Sequence, residues 1–159
     1  MEAENSIFRK IIDQSDRFYR MAYCYVGNEQ DAMDVVQEVA CKALQHLDRL
    51  KNPEYAETWL FRVTINTALD FLRKRKREQI GLPEAETGAD DDYGRLSVED
   101  ALSRLDEPSR AVVVLHFMED KTFPQIAEIL GKNVNTVKAL NYKALNILKP
   151  MLAEEGESS

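Results

Sequence analysis

Five consecutive basic residues, 73–77, are the densest charge in the sequence. Such a run could neutralise several phosphates of a nucleic acid and make binding depend on salt concentration. It could also be a solvated helix end, because cations are electrostatically favoured at a helix C-terminus. We favour nucleic-acid contact.

Polar and aromatic residues lie just upstream of this run, in the segment Asn52–Trp59. Aromatic rings next to a cationic track suit single-stranded bases, which stack on them or are held by side-chain hydrogen bonds after flipping. Trp59 is in helical phase with Leu60 and Val63, so we expect it in the core. Tyr55 fits either role.

Residues 122–149 have the pattern of a helix-turn-helix. Small Ala127 lets a second helix cross closely, Gly131 supplies a left-handed turn, and Val137 returns to the core. We favour DNA binding over a plain helical hairpin. Asn133, Asn135, Thr136 and Lys138 are exposed candidates for base contacts, and Lys143 is a candidate phosphate contact. Each of these residues could instead be an ordinary solvated helix residue.

A further group of polar residues shares one predicted helix face; it consists of Asp31, Asp34, Gln37 and Glu38. This face could pair with a basic surface on a protein partner. From the residues alone, a solvated helix face is the simpler interpretation.

The segments that carry these candidate contact residues all show the apolar periodicity of amphipathic helices. It predicts an all-α chain with two small helical domains joined by a flexible acidic linker, the second domain holding the helix-turn-helix. We place the first domain at 5–78, the linker at 79–96, the second domain at 97–152 and an acidic tail at 153–159. Asn28, Ser97 and the Thr122/Gln125 pair are predicted helix caps.

The formal net charge of −7 over 159 residues argues against nucleic-acid binding only at first sight. Residues 1–80 hold 13 basic and 13 acidic side chains, and residues 109–159 hold 6 of each. Residues 81–108 hold 2 basic and 9 acidic ones, which accounts for the whole excess. Each domain can therefore present a basic face.

Several function classes are disfavoured. No apolar run approaches the ~20 residues that span a membrane, and the start of the chain lacks the features of a secretory signal. We therefore expect a cytoplasmic protein. Cys24 and Cys41 fit no zinc or redox spacing, and His46 and His116 are isolated. We expect no enzyme activity, no metal and no cofactor.

Three motifs together resemble the extracytoplasmic-function (ECF) group of bacterial sigma factors. DAMDVVQE at 31–38 resembles the D-A-x-D-h-h-Q-E signature (h, apolar) of that family's polymerase-binding helix. WLFR at 59–62, followed by Asn66, Asp70 and the basic run, resembles its promoter-opening helix. IAEILG at 126–131 and NTVK at 135–138 resemble its promoter-reading motif.

The resemblance implies a dissociable subunit of core RNA polymerase. The first domain would bind the β′ clamp helices through Asp31, Asp34, Gln37 and Glu38. It would open the minus-ten element with Asn52, Tyr55, Thr58, Arg62, Asn66, Arg73, Lys74, Arg75 and Lys76. The second domain would bind the β flap and read the minus-35 element with the helix-turn-helix residues. The resemblance also implies an anti-sigma factor, often anchored in the membrane.

One departure from the family pattern keeps alternatives open. The family commonly follows T-V-K with a small residue, Arg and Leu, whereas this chain has Ala139, Leu140 and Asn141. Minus-35 reading could be altered, or the chain could be a decoy that binds polymerase without promoter specificity. A stand-alone dimeric helix-turn-helix regulator is a third possibility, which the 31–38 motif argues against.

Overall fold

The computed structural model describes residues 9, 12–50, 52–80 and 97–157, and within them every regular element is helical. In chain order these are α1 (Ser15–Val26), α2 (Glu29–Gln45), a 3-10 turn (Leu47–Leu50), α3 (Pro53–Ile80), α4 (Val98–Ser103), α5 (Glu107–Val113), a π-helical segment (Val114–Met118), α6 (Phe123–Leu130) and α7 (Val134–Glu157). The predicted all-α class is confirmed.

Helices α1, α2 and α3 pack into the N-terminal domain. Gly27 ends α1 at φ +74°, a left-handed conformation that favours glycine. Asn28 caps α2 by accepting a hydrogen bond from the Asp31 backbone N–H at 2.8 Å, as predicted. The core of this domain includes the fully buried side chains of Phe18, Met21, Val35, Val39, Leu60 and Phe61.

Helix α3 is one element of 28 residues, about 42 Å long at 1.5 Å per residue. It joins the polar and aromatic segment to the basic run on a single rigid rod. It ends at Ile80, two residues beyond the predicted domain boundary, because Glu78 and Gln79 are also good helix formers. Residues 81–96 of the predicted flexible acidic linker lie outside the described residues.

The C-terminal domain is built from α4 to α7. The Thr122 hydroxyl accepts from the Gln125 backbone N–H at 3.3 Å, and the Gln125 side chain accepts from the Thr122 N–H at 2.9 Å, so the predicted capping box is confirmed. Gly131 takes φ +67° at the turn before α7. Helix α7 continues to Glu157, into the segment predicted as an acidic tail, because Ala153, Glu154 and Glu155 favour helix.

The two domains lie against each other, a contact that the prediction of two domains joined by a flexible linker does not include. Helix α1 contacts α4 and the π-helical segment, and α3 contacts α6. The side chain of Arg110 crosses the boundary and donates to the backbone oxygen of Cys24 at 2.6 Å. Sequence periodicity predicts the core of each domain, but it does not show which polar groups meet between them.

Candidate protein and nucleic-acid interfaces

Helix α2 presents three of its four predicted partner-binding residues on one outward face. Gln37 and Glu38 are exposed and Asp34 is half-buried, accepting a hydrogen bond from the Gln30 side chain at 3.2 Å. Glu38 also lies 3.6 Å from the Lys42 ammonium, one helical turn later. This pairing is weak, because both groups are solvated. The face can therefore exchange its internal contacts for those of a partner.

Asp31 is placed differently from the other three. Its carboxylate accepts from the Asn28 side chain at 3.1 Å and forms an ion pair with Arg75. The hydrogen bond from Asn28 and the Arg75 guanidinium lower the pKa of Asp31 below its ordinary value. In this structure Asp31 joins the start of α2 to α3.

Two exposed apolar side chains that were not predicted as contacts lie on the same face of α2. Met33 and Leu44 are exposed, and helical geometry places them beside Gln37 and the exposed thiol of Cys41. Their spacing of 11 residues is close to three helical turns and could have revealed them. An outward strip of apolar and acidic residues suits a protein partner better than a nucleic acid.

Four of the eight predicted minus-ten residues on α3 fall along one stripe. Tyr55, Arg62, Asn66 and Arg73 recur at spacings close to whole helical turns. Tyr55 is 45% exposed and Asn66 is exposed, whereas Thr58 is half-buried. Asn52 is exposed just before the helix. The stripe therefore links an aromatic end to a cationic end.

Trp59 lies on the inner side of this stripe, as predicted. It is half-buried and packs on the core, with its ring centroid 5.7 Å from that of His46. His46 itself is fixed by a 2.9 Å hydrogen bond between Nδ1 and the Lys42 carbonyl. The indole therefore packs beneath the N-terminal part of α3.

The basic run divides into two groups around the helix. Arg73, Lys76 and Arg77 line one surface depression together with Asp70, and Lys74 is exposed beside them. Arg75 points to the opposite side, where it donates to the Val26 carbonyl at 3.0 Å and pairs with Asp31. Of the four predicted phosphate contacts, Arg75 is thus the one held within the N-terminal domain.

Arg62 is engaged across the domain boundary. Its Nε donates to the Ile129 carbonyl at 2.8 Å, and its terminal nitrogen donates to the Glu128 carbonyl at 2.9 Å. Arg73 similarly donates to the Glu107 carboxylate at 2.7 Å. In this arrangement two of the predicted minus-ten contacts are occupied by the C-terminal domain.

The helix-turn-helix places its predicted contacts at the start of α7. Asn133 caps the helix by accepting from the Thr136 backbone N–H at 2.7 Å. Asn135, Thr136 and Lys138 are exposed, while Val137 is fully buried, as predicted. The early polar residues of α7 are therefore available for base edges.

Lys143 lies further along α7 and forms a 2.6 Å ion pair with Asp106. The Lys143 and Ser109 hydrogen bonds lower the pKa of Asp106 to about 2. Lys143 is still largely exposed, so it can leave this partner for a phosphate.

The structure explains why residues 139–141 can depart from the family pattern. Ala139 is exposed, Leu140 is half-buried and packs on the core, and Asn141 is half-buried. The apolar residue thus turns inward where the family commonly has Arg, and the exposed face continues through Ala139 to Tyr142.

Tyr142 is a candidate contact that the sequence analysis missed. Its side chain is 70% exposed, and it follows Asn135 and Lys138 at helical spacing. The helical spacing of these three residues in the sequence could have indicated that Tyr142 lies on the same face. The aromatic ring and hydroxyl give this face both an apolar and a polar contact.

Within the described parts of the chain, no three His, Cys, Asp or Glu side chains cluster in a way that could hold a metal ion. Among the helices of those same ranges, none has the length and apolar character needed to cross a membrane.

Comparison with known proteins identifies the family to which this chain belongs. The Sigma-70 region 2 family matches residues 12–78, and the Sigma-70 region 4 family matches residues 95–148. The RNA polymerase sigma factor SigV of Bacillus subtilis is 38% identical over 149 residues, which cover 91% of this chain and 90% of SigV. The chain belongs to the ECF group of sigma factors. It is accordingly a transcription initiation factor that binds core RNA polymerase and promoter DNA.

Two further comparisons agree with this assignment. The ECF sigma factor SigL of Mycobacterium tuberculosis H37Rv is 31% identical over 165 residues, covering 97% of this chain and 93% of SigL. The crystal structure of the sigma factor RpoE from Bartonella quintana, in complex with the anti-sigma factor NepR, shares the fold with a TM-score of 0.72 and 23% identity. It covers 91% of this chain and 95% of that one. The N-terminal domain is thus region 2 and the C-terminal domain is region 4.

Proposed function

We propose that this sigma factor uses three surfaces in transcription initiation. The outer face of α2 binds core polymerase, the stripe on α3 opens the minus-ten element and the exposed face of α7 reads the minus-35 element. The observation that carries this proposal is the single rod of α3, which holds Tyr55, Arg62, Asn66 and Arg73 along one side. A rigid helix with an aromatic end and a cationic end can fix unstacked bases and the adjoining phosphates in one register.

Core polymerase binding is assigned to Asp34, Gln37 and Glu38, with Met33 and Leu44 as apolar neighbours. The acidic groups would steer a basic partner surface, and the apolar groups would add desolvated contact area. Asp31 would act indirectly, because its ion pair with Arg75 fixes the start of α2.

Minus-ten opening is assigned to α3 and the residues just before it. Asn52, Tyr55 and Thr58 would hold an extruded base, while Arg62, Asn66, Arg73, Lys74 and Lys76 would follow the backbone of the displaced strand. Arg75 would contribute less, because it already contacts Asp31 and the Val26 carbonyl.

Minus-35 reading is assigned to Asn135, Thr136, Lys138 and Tyr142, with Lys143 on a phosphate. Asn suits adenine and Lys suits guanine in the major groove, and an aromatic ring can contact a thymine methyl. Asn133 would position these residues as the helix cap rather than read a base. The inward turn of Leu140 supports an altered contact set over the loss of promoter specificity.

An apolar groove on region 4 is assigned to the β flap. Val98, Phe117 and Met118 expose apolar surface at this groove, and Leu148 and Met151 line its other side. An amphipathic helix of the flap would bury these side chains. Replacing Phe117 with Ser would then weaken transcription that depends on the minus-35 element, without loss of the region 2 contact to core.

Control by an anti-sigma factor is also part of the proposal. The solved relative named above is described in complex with such an inhibitor. The outer face of α2 and the groove on region 4 would then be shared between the inhibitor and polymerase, so the two would compete. A competition experiment between purified core and a co-expressed candidate inhibitor tests this.

The test of the polymerase surface is an Asp34→Arg variant in a core-binding titration. Charge reversal on this face should weaken core binding at least roughly tenfold, because a basic partner surface would now be repelled. Thermal unfolding should stay unchanged, since the hydrogen bond that Asp34 accepts from Gln30 is exposed to solvent.

Asp48→Arg is the matched control, because Asp48 is exposed in the 3-10 turn and carries the same change of charge. If both variants bind core like the unmodified chain, the assignment of the α2 face is wrong.

A further inference from the structure

His46 lies where α2 ends and the chain turns toward α3. It follows the last residue of α2 as the cap of that helix, and it is half-buried. Its ring Nδ1 lies 2.9 Å from the Lys42 carbonyl oxygen. Because a carbonyl only accepts hydrogen bonds, Nδ1 donates this one. The imidazole is thereby held in one orientation at the end of α2.

The residue whose carbonyl His46 binds is itself fixed to α3. The Lys42 ammonium donates to the Thr67 hydroxyl at 3.0 Å, and Thr67 is only 1% exposed within α3. Lys42 therefore joins the last turn of α2 to the middle of α3 through its side chain. Through its carbonyl, it also sets the place of the imidazole.

The imidazole also contacts the indole of Trp59 on α3. The two ring centroids are 5.7 Å apart and the ring planes are inclined at 42°, which is within the usual range for aromatic pairs. Trp59 is half-buried and packs against the core. His46 therefore adds to the support of the indole from the end of another helix.

Trp59 is close to the residues that are proposed to hold an extruded base. It follows Tyr55 by four positions and precedes Arg62 by three, so helical geometry makes these side chains neighbours on α3. Thr58 directly precedes Trp59 and is also half-buried. A shift of the indole would therefore disturb the end of α3 that receives the base.

His46 makes two contacts that can be separated. The hydrogen bond to the Lys42 carbonyl satisfies one of the backbone oxygens left unpaired at the end of α2, as a helix cap does. The contact with Trp59 needs an aromatic surface instead. Only the second contact reaches toward the base-holding residues.

We propose that His46 is a positioning residue for promoter opening: its imidazole holds the indole of Trp59, and with it the end of α3 that receives the extruded base. The inference rests on the proposed role of α3 in minus-ten opening, and it adds a residue outside α3 that this role requires. His46 acts through Trp59 and not by contact with DNA.

Two substitutions separate the ring from the hydrogen bond. His46→Asn keeps an N–H donor near the place of Nδ1 but has no aromatic ring, whereas His46→Phe keeps a ring but has no donor. His46→Ala removes both. Asp48→Ala is the matched control, because Asp48 is exposed in the 3-10 turn that follows His46.

The measurement is the rate constant of promoter opening by holoenzyme formed at saturating core, on a promoter mapped for the unmodified chain. Permanganate reactivity of unpaired minus-ten thymines follows the reaction. His46→Ala and His46→Asn should open the promoter about fivefold more slowly than the unmodified chain, because the base-holding end is misplaced. His46→Phe should stay within about twofold, and Asp48→Ala should be unchanged.

Thermal unfolding of the free chain should rank the variants in the opposite order. His46→Asn should unfold near the unmodified chain, whereas His46→Phe should unfold roughly 2–4 °C lower, because the Lys42 carbonyl loses its partner. A residue that only caps α2 would instead show parallel losses of stability and opening. Slow opening by His46→Phe with normal opening by His46→Asn would overturn the proposal, as would normal opening by His46→Ala.

Trp59 is the single tryptophan of the sequence, so its fluorescence reports the contact directly in the free chain. The emission maximum of His46→Ala should move to longer wavelength by about 5 nm, because the indole becomes more exposed to water. His46→Phe should keep the maximum of the unmodified chain. An unchanged spectrum in His46→Ala would show that the imidazole does not hold the indole, and the proposal would be wrong.

These readouts separate the inference from the proposed function. If the unmodified holoenzyme does not open the minus-ten element, the proposed role of α3 fails, whereas the fluorescence of the free chain still decides whether His46 holds Trp59. If circular dichroism shows that His46→Ala does not fold, the comparison of His46→Asn with His46→Phe decides the question, since each keeps one of the two contacts.

Discussion

At the scale of single residues, Cys41 offers a direct probe of the polymerase-binding face. It is exposed on the outer side of α2, whereas Cys24 is buried and burial raises the pKa of its thiol to about 11. Because thiolates react with maleimides, we expect labelling at Cys41 and almost none at Cys24. A bulky adduct at Cys41 should then block core binding, which a pull-down with purified core measures.

Cys41→Ser provides the control for this experiment. The variant should bind core normally before and after maleimide treatment. Labelled wild-type chain that binds core as well as unlabelled chain would place the polymerase contact elsewhere on region 2.

The pair of Lys143 and Asp106 gives a prediction about pKa. Lys143→Met should raise the pKa of Asp106 from about 2 toward its ordinary value near ~3.9, because its largest stabilising contact is removed. Carboxyl-carbon NMR titration measures this shift. Since the folded pKa lies below the unfolded one, this carboxylate stabilises the fold above about pH 4, and that stabilisation is lost as the pH falls toward about 2.

An unchanged Asp106 titration in Lys143→Met would show that Lys143 does not form the pair in solution. Lys149→Met is the matched control, because Lys149 is exposed on the same helix and no contact with Asp106 is seen. It should leave the pKa of Asp106 where it is.

At the scale of elements, the two sides of the basic run should differ in their effect on DNA binding. Changing Lys74 and Lys76 together to Gln should reduce the salt slope of promoter binding by the holoenzyme by about 1.5 to 2 units, if each neutralises one phosphate. Arg75→Gln should leave the slope unchanged and lower the stability of region 2 instead, since Arg75 links α3 to Val26 and Asp31. Binding measured over a series of salt concentrations distinguishes the three chains.

The recognition helix carries the second prediction at this scale. Tyr142→Ala should reduce transcription from promoters that need a minus-35 element by roughly five- to tenfold, because it removes the largest exposed contact on α7. Stability should change by no more than about 0.5 kcal/mol, as is usual for an exposed side chain. Run-off assays with and without a minus-35 element make the comparison, and equal activity in both would remove Tyr142 from the interface.

At the scale of the whole molecule, local signals account for much of what could be predicted. The caps at Asn28 and Thr122 and the turn at Gly131 form where expected, because each depends on a few neighbouring residues. The split of the basic run follows from helical geometry, once α3 is known to be continuous through Arg75. Five consecutive cations are expected to surround a helix end, but their residue types do not show that Arg75 is the one that meets Val26 and Asp31.

The contact between the domains could not be predicted in this way. Arg62 and Arg110 bind backbone carbonyls, and every residue has a carbonyl, so the acceptors leave no trace in the residue types. The partners are also more than sixty positions apart in sequence. A long acidic linker indicated independent domains, whereas charged groups at the boundary bring them together.

The central claim is that this chain directs core polymerase to promoters and opens them. The most direct measurement is to sequence the 5′ ends of transcripts made from fragmented DNA of the source genome by purified core with and without the protein. We predict discrete new start sites that share two elements upstream, one near minus-ten and one near minus-35. A folded protein that binds core but yields no start sites beyond those of core alone would contradict the account.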